Sequence, residues 1–230
     1  MARHPVLEGV LRALTLAPGI VPVGMVFGAA AVAASLSPFA AGALSALVFA
    51  GGAQFAAVAL LGQGALLLAI VGTVAVVNAR YLVLSAAALE LARKAGATRL
   101  QRVLVALGCV EETYALQTGW TRVAAPSVAG LLAVSATFWL MWIGGTLAGA
   151  LLGARLPDLA PFGLDYALPG IFVGLFGIFA DTRERLYAGL AALALGGALA
   201  LAGLATLAVL VVPPALAFAL GRWKRPAAAA

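Results

Sequence analysis

The sequence predicts an all-α integral membrane protein with about 8 (7–8) transmembrane helices, some of them broken. Three observations carry that prediction. Of 230 residues, 64% are hydrophobic and 10% charged, and mean hydropathy is +1.11. A soluble domain is about half apolar and roughly a quarter charged, so this chain lacks the polar surface to face water throughout. The apolar residues gather in runs, most near the roughly 20 residues that a helix needs to cross about 30 Å of hydrocarbon. The runs do not alternate as β-barrel strands would, and helices satisfy their own backbone groups inside lipid.

In chain order, residues 1–13 form an N-terminal segment. There Val6, Leu7, Val10 and Leu11, beside Glu8 and Arg12, predict a short interfacial helix. A polytopic transmembrane domain follows over 14–220, with apolar runs at 14–36, 40–61, 64–91, 103–120, 127–153, 163–180, 186–203 and 204–220. The first run exceeds a signal-peptide core and opens on Pro18-Gly19, so it is expected to stay as a span rather than be removed. Residues 221–230 are a basic, Ala-rich tail. With eight spans and both termini inside, the inner segments carry Arg3, Arg12, Arg122, Arg183, Arg185, Arg222, Lys224 and Arg225. The outer ones carry Arg93, Lys94, Arg99, Arg102 and Arg155. The basic stretch 93–102 sits better inside, and a re-entrant 64–91 would put it there with seven spans. Pro18-Gly19-Ile20, Val23-Gly24 and Phe27-Gly28 echo Pro169-Gly170-Ile171, Val173-Gly174 and Phe176-Gly177. Five spans apart, those copies would be inverted, as in many secondary transporters.

The polar inventory excludes whole classes. One Cys (Cys109) and one His (His4) leave no disulfide, thiolate or zinc site, haem ligation or Ser-His triad, and no cofactor or metal is expected. The net charge of +6 reads as membrane loops and termini, facing a lipid bilayer and not nucleic acid.

Polar residues inside apolar runs carry the functional signal, since a charge at bilayer depth costs at least about 2.5–3.5 kcal/mol on insertion scales. Asn78 and Arg80 lie about 200° apart on an ideal helix, so the 64–91 run is interrupted there or two half-helices meet. Arg80 would grip a carboxylate in a bidentate pair, or else snorkel or form a structural ion pair. Glu111 and Glu112 lie midway in 103–120. On a continuous helix Glu111 shares a face with Tyr114, Thr118 and Arg122, while Glu112 lies over the small residues Gly108, Ala115 and Gly119. Adjacent carboxylates in low dielectric do not both ionise cheaply, which suits a proton carrier or a partner for a substrate ammonium; the bland alternative is a structural pair with Arg80. Gly51 and Gly52 weaken the second run and admit close backbone approach beside Gln54, for a ligand or for helix packing alone. Pro18-Gly19 with Pro22, and Pro169-Gly170, free carbonyls within or at the start of spans. Helix ends there would turn positive N-termini toward a carboxylate. Gly24 and Gly28, Gly145 and Gly149, and Gly170 and Gly174 fit the small-residue packing pattern.

Taken in order, five stretches resemble the AzlC family of branched-chain amino acid permeases. They are Pro22-Val23-Gly24-Met25-Val26-Phe27-Gly28, Phe49-Ala50-Gly51-Gly52-Ala53-Gln54-Phe55, Asn78-Ala79-Arg80-Tyr81 with the residues following to Leu89, Glu111-Glu112-Thr113-Tyr114-Ala115, and Leu168-Pro169-Gly170-Ile171-Phe172. The family often has Asp-Glu where this chain has Glu111-Glu112, Thr in place of Val110, and His in place of Tyr81, so a His-based relay does not carry over. The resemblance implies export of a branched-chain or other small apolar amino acid across the cell inner membrane, driven by a proton gradient. It also implies a small, separately encoded AzlD-type membrane subunit as partner. Arg80, Asn78, Glu111, Glu112, Gln54, Gly51, Gly52, Tyr114, Pro169 and Gly170 are the expected substrate-binding or coupling residues. A passive channel or scaffold subunit is the alternative. An intramembrane enzyme is disfavoured: Cys109 has no His to activate it, and Asp165 and Asp181 fall near segment ends.

Overall fold

The structure, a computed structural model, describes residues 4–121, 125, 127–152 and 182–203. Among the described residues there are helices and no strands, in keeping with the absence of alternation. The helices are α1 (Pro5–Leu14), α2 (Ala17–Ala33), α3 (Pro38–Val48), α4 (Gly51–Gly62), α5 (Leu67–Asn78), α6 (Arg80–Lys94), α7 (Arg99–Leu107), α8 (Glu111–Thr121), α9 (Val128–Leu152) and α10 (Arg183–Leu201). The chain forms two compact units, Met1–Phe172 and Val173–Ala230. The first contains α1 to α9. In the second, α10 is a Leu- and Ala-rich helix with Glu184 in its first turn, where the positive helix end favours an acid. The apolar runs at 163–180 and 204–220, and the tail, lie outside the described residues.

Local chemistry explains most helix starts. Proline stands in the first turn of α1, α2 and α3, where a missing N–H costs nothing. Ser37 caps α3 by accepting from the Ala40 N–H at 3.1 Å. Thr98 and Gln101 form a reciprocal capping box at the start of α7. Pro22 lies within α2, and the helix continues through it.

The described residues do not confirm the count of 7–8 spans. Among the described residues only α9, at 25 residues, is long and apolar enough to cross a bilayer unbroken; α1 with α2 and α5 with α6 qualify as pairs bent by 62° and 41°. The apolar run at 40–61 divides into α3 and α4, and that at 103–120 into α7 and α8. The face that a continuous helix gives Glu111 therefore begins only at the first residue of α8.

α9 is the centre of the first unit, packed against α2, α1 and α3. Its contact with α2 is backbone to backbone. A Cβ added to Gly28 would run into the Thr146 carbonyl, and one on Gly149 into Met25. Gly24 faces Gly145 and the Trp142 carbonyl in the same way. The two small-residue pairs read from the sequence thus meet each other, the close approach that such residues permit. Beside them Ile20, Val23, Phe27, Phe138 and Trp142 form a buried core, with the Phe27 ring 6.0 Å from that of Trp142.

Candidate functional site

Three interrupted helices bring their breaks to one place. α3 ends at Val48 and is capped by Phe49, whose backbone is left-handed (φ 42°, ψ 47°), and α4 starts at Gly51. A bulky residue in that region is strained by roughly 1–3 kcal/mol and persists only where its surroundings enforce it. α5 and α6 meet at Ala79. α7 gives way at Gly108, and α8 starts at Glu111. The two latter halves with side-chain caps take them from within. The Ala50 N–H donates to Gln54 Oε1 at 3.1 Å, and the Val110 N–H to Thr113 Oγ1 at 2.9 Å.

A cavity of about 40 Å³ lies at the convergence, room for a few water-sized groups where one water needs roughly 10–15 Å³. Its polar wall is formed by Gly51 and Gly52, Arg80 and Tyr81, and Glu111 and Glu112. These are the first two residues of α4, α6 and α8. The opposite wall is apolar: Ile20 and Val23 from α2, Phe138 and Trp142 from α9, with Phe49 and Val110 at the breaks.

Opposite charges meet within the polar wall. Arg80 Nη1 lies 2.9 Å from Glu111 Oε1, and the Tyr81 hydroxyl donates to Glu111 Oε2 at 2.8 Å. The guanidinium also sits 5.1 Å from the Tyr81 ring centre and passes over Gly52, where a Cβ would lie 3.5 Å from Nη2. A helix N-terminus carries roughly half a positive charge. Three such ends and a guanidinium therefore surround two carboxylates, which explains how adjacent acids are tolerated here. The arrangement presents anion-holding groups on one side and apolar surface on the other.

A family model described as AzlC protein matches residues 15–156, more than half of the chain. The chain belongs to the AzlC family. Membership marks it as a membrane transport-related protein of a transporter-type family. All of the cavity-lining residues fall within the matched stretch. No curated protein and no solved structure matches the chain.

Within this AzlC chain the expected site residues divide. Arg80, Glu111, Glu112, Gly51 and Gly52 come together on the cavity. Gln54 lies behind it, fully buried. Its Oε1 accepts from the Trp142 indole N–H at 3.0 Å, and its Nε2 donates to Ser45 Oγ at 2.9 Å. Ser45 Oγ lies 2.7 Å from Thr146 Oγ1, whose own proton goes to the Trp142 carbonyl at 2.9 Å. Asn78 ends α5, its Oδ1 buried with no hydrogen-bond partner among the described residues. Tyr114 packs beside the Ala88, Val105 and Leu131 cluster instead of the cavity. Pro169 and Gly170 lie outside the described residues.

The structure adds Tyr81 and the apolar wall to the sequence-derived set. Tyr81 had a signal in its place beside Arg80. Phe138 and Trp142 had none, because aromatic residues in an apolar span look like any other lipid-phase packing.

Proposed function

We propose that this chain is the large subunit of a permease that exports a branched-chain or similar small apolar amino acid, coupled to the proton gradient of the cell inner membrane. In this reading it crosses the bilayer about 8 times, several spans being half-helix pairs, and works with a small AzlD-type subunit. One observation supports it above the rest: three helix N-termini and Arg80 face an apolar wall across a single cavity. That is the complement of a zwitterion with a hydrocarbon side chain. Arg80 would hold the carboxylate, aided by the backbone at Gly51 and Gly52. Because Arg80 is paired with Glu111 here, an incoming carboxylate takes over the guanidinium. The released Glu111 then meets the ammonium or takes up the coupling proton. Glu112, beside it, is the second candidate for that role.

The test is amino acid flux from preloaded proteoliposomes holding the chain with its small partner, with and without an imposed proton gradient. Saturable, gradient-sensitive valine or leucine efflux is expected, and folded Arg80→Ala should abolish it. Flux that does not saturate would favour a passive channel. No flux at all would leave a scaffold subunit, and unimpaired flux in a folded Arg80→Ala, Glu112→Ala double variant would overturn the site.

A further inference from the structure

We propose that Trp142 sets the size of side chain that the cavity accepts, and that Gln54, Ser45 and Thr146 are positioning residues that hold it there. This rests on the transport reading above.

Trp142 forms part of the apolar wall, and both its indole N–H and its backbone carbonyl are hydrogen-bonded. Thr146 Oγ1 spends its single proton on the Trp142 carbonyl, so in the Ser45–Thr146 contact the donor is Ser45. Ser45 in turn accepts from Gln54 Nε2, and Gln54 Oε1 accepts from the indole N–H. The donors run in one direction around a closed circuit: indole N–H to Gln54, Gln54 to Ser45, Ser45 to Thr146, Thr146 to the Trp142 carbonyl. Ser45, Gln54 and Thr146 are all fully buried. Each member of a buried chain polarises the next, and an unpaired member in low dielectric is costly, so the circuit resists rearrangement. The ring is also confined by neighbours. A Cβ on Gly51 would lie 3.2 Å from its Cη2, and Phe27 stacks on it. A wall fixed this firmly does not yield to a larger guest. Since neither Gln54, Ser45 nor Thr146 lines the cavity, their influence on a guest passes through the indole.

The experiment compares saturable efflux of alanine, valine, leucine and phenylalanine from the same vesicles. It uses wild type, Trp142→Phe, Gln54→Met and Thr146→Val, each with the small partner subunit. For wild type, valine or leucine should exceed phenylalanine. Trp142→Phe should raise the phenylalanine-to-valine ratio of Vmax/KM by about tenfold or more, the scale on which a hydrophobic pocket discriminates by a methylene. Gln54→Met and Thr146→Val, which release the indole without shortening it, should move the ratio the same way by less. Thr146→Ser, which keeps the hydroxyl, should leave it at the wild-type value. A uniform fall for all four solutes, or an unchanged ratio in every variant, overturns the inference and leaves the transport reading intact. A wild type with no saturable flux of any of the four overturns both.

Discussion

Both oxygens of Glu111 are engaged, one by Arg80 and the other by Tyr81, so the three side chains act as one unit. Tyr81→Phe leaves one oxygen without its donor. Hydrogen bonds to charged groups contribute about 1.5–3 kcal/mol, so saturable flux should fall roughly tenfold or more while the protein still folds. Arg80→Lys should not restore what Arg80→Ala loses, since a point charge does not reproduce a planar two-pronged grip; valine efflux measures both. Behind the cavity, Ser45→Ala strands a buried amide proton of Gln54. It should lower thermal stability in detergent by about 1–3 kcal/mol. Arg80, Glu111 and Glu112 were legible because a charge in an apolar run demands an explanation. Gln54 was legible as unusual, yet its type did not say whether it faces a ligand or a tryptophan. That depends on Trp142, 88 positions along the chain, and no local pattern carries that information.

At the scale of the helix, glycine placement makes the sharpest prediction. Gly28→Ala and Gly149→Ala each drive a methyl group into the opposing backbone, and overpacking of this kind costs about 1–3 kcal/mol. Gly19→Ala, with nothing within 4 Å of the added carbon, should melt as wild type does. Thermal unfolding of the three purified variants decides it. The small-residue pairs were visible in the sequence because spacing alone reveals them. The break at Ala79 was visible too, since Asn78 and Arg80 do not share a helix face. The breaks after Val48 and Leu107 were less so. They depend on Gln54 and Thr113 reaching back to the amides of Ala50 and Val110, Thr113 from the third helical position as in the rear half of a capping box and Gln54 from the fourth. Scanned for hydropathy alone, both runs look continuous.

For the whole molecule, composition fixed the class because no arrangement of so few polar residues clothes a soluble fold. The number of spans was harder to read, since two half-helices joined at a break have the hydropathy of one long helix. If α5 and α6 together cross the bilayer, cysteines placed at Gln63 and Lys94, with Cys109 replaced by Ser, should be labelled by an impermeant maleimide from opposite faces of the membrane. Labelling from one face would make the pair re-entrant and the basic stretch after α6 an inner loop. The joint between α2 and α9 has its own consequence for movement. With Gly24, Gly28, Gly145 and Gly149 in backbone contact, those two helices do not slide past one another without collision, so in a transport cycle they would serve as a stator. Gln54 ties α4 to the same frame through the Trp142 indole, so the rotor would be α6 and α8, each entered through a break. The stator bears Ile20, Val23, Phe138 and Trp142, and the rotor bears Arg80, Glu111 and Glu112. A cycle that opens the cavity first to one side and then to the other would carry Arg80 and the two acids through its stroke while the greasy wall stands still.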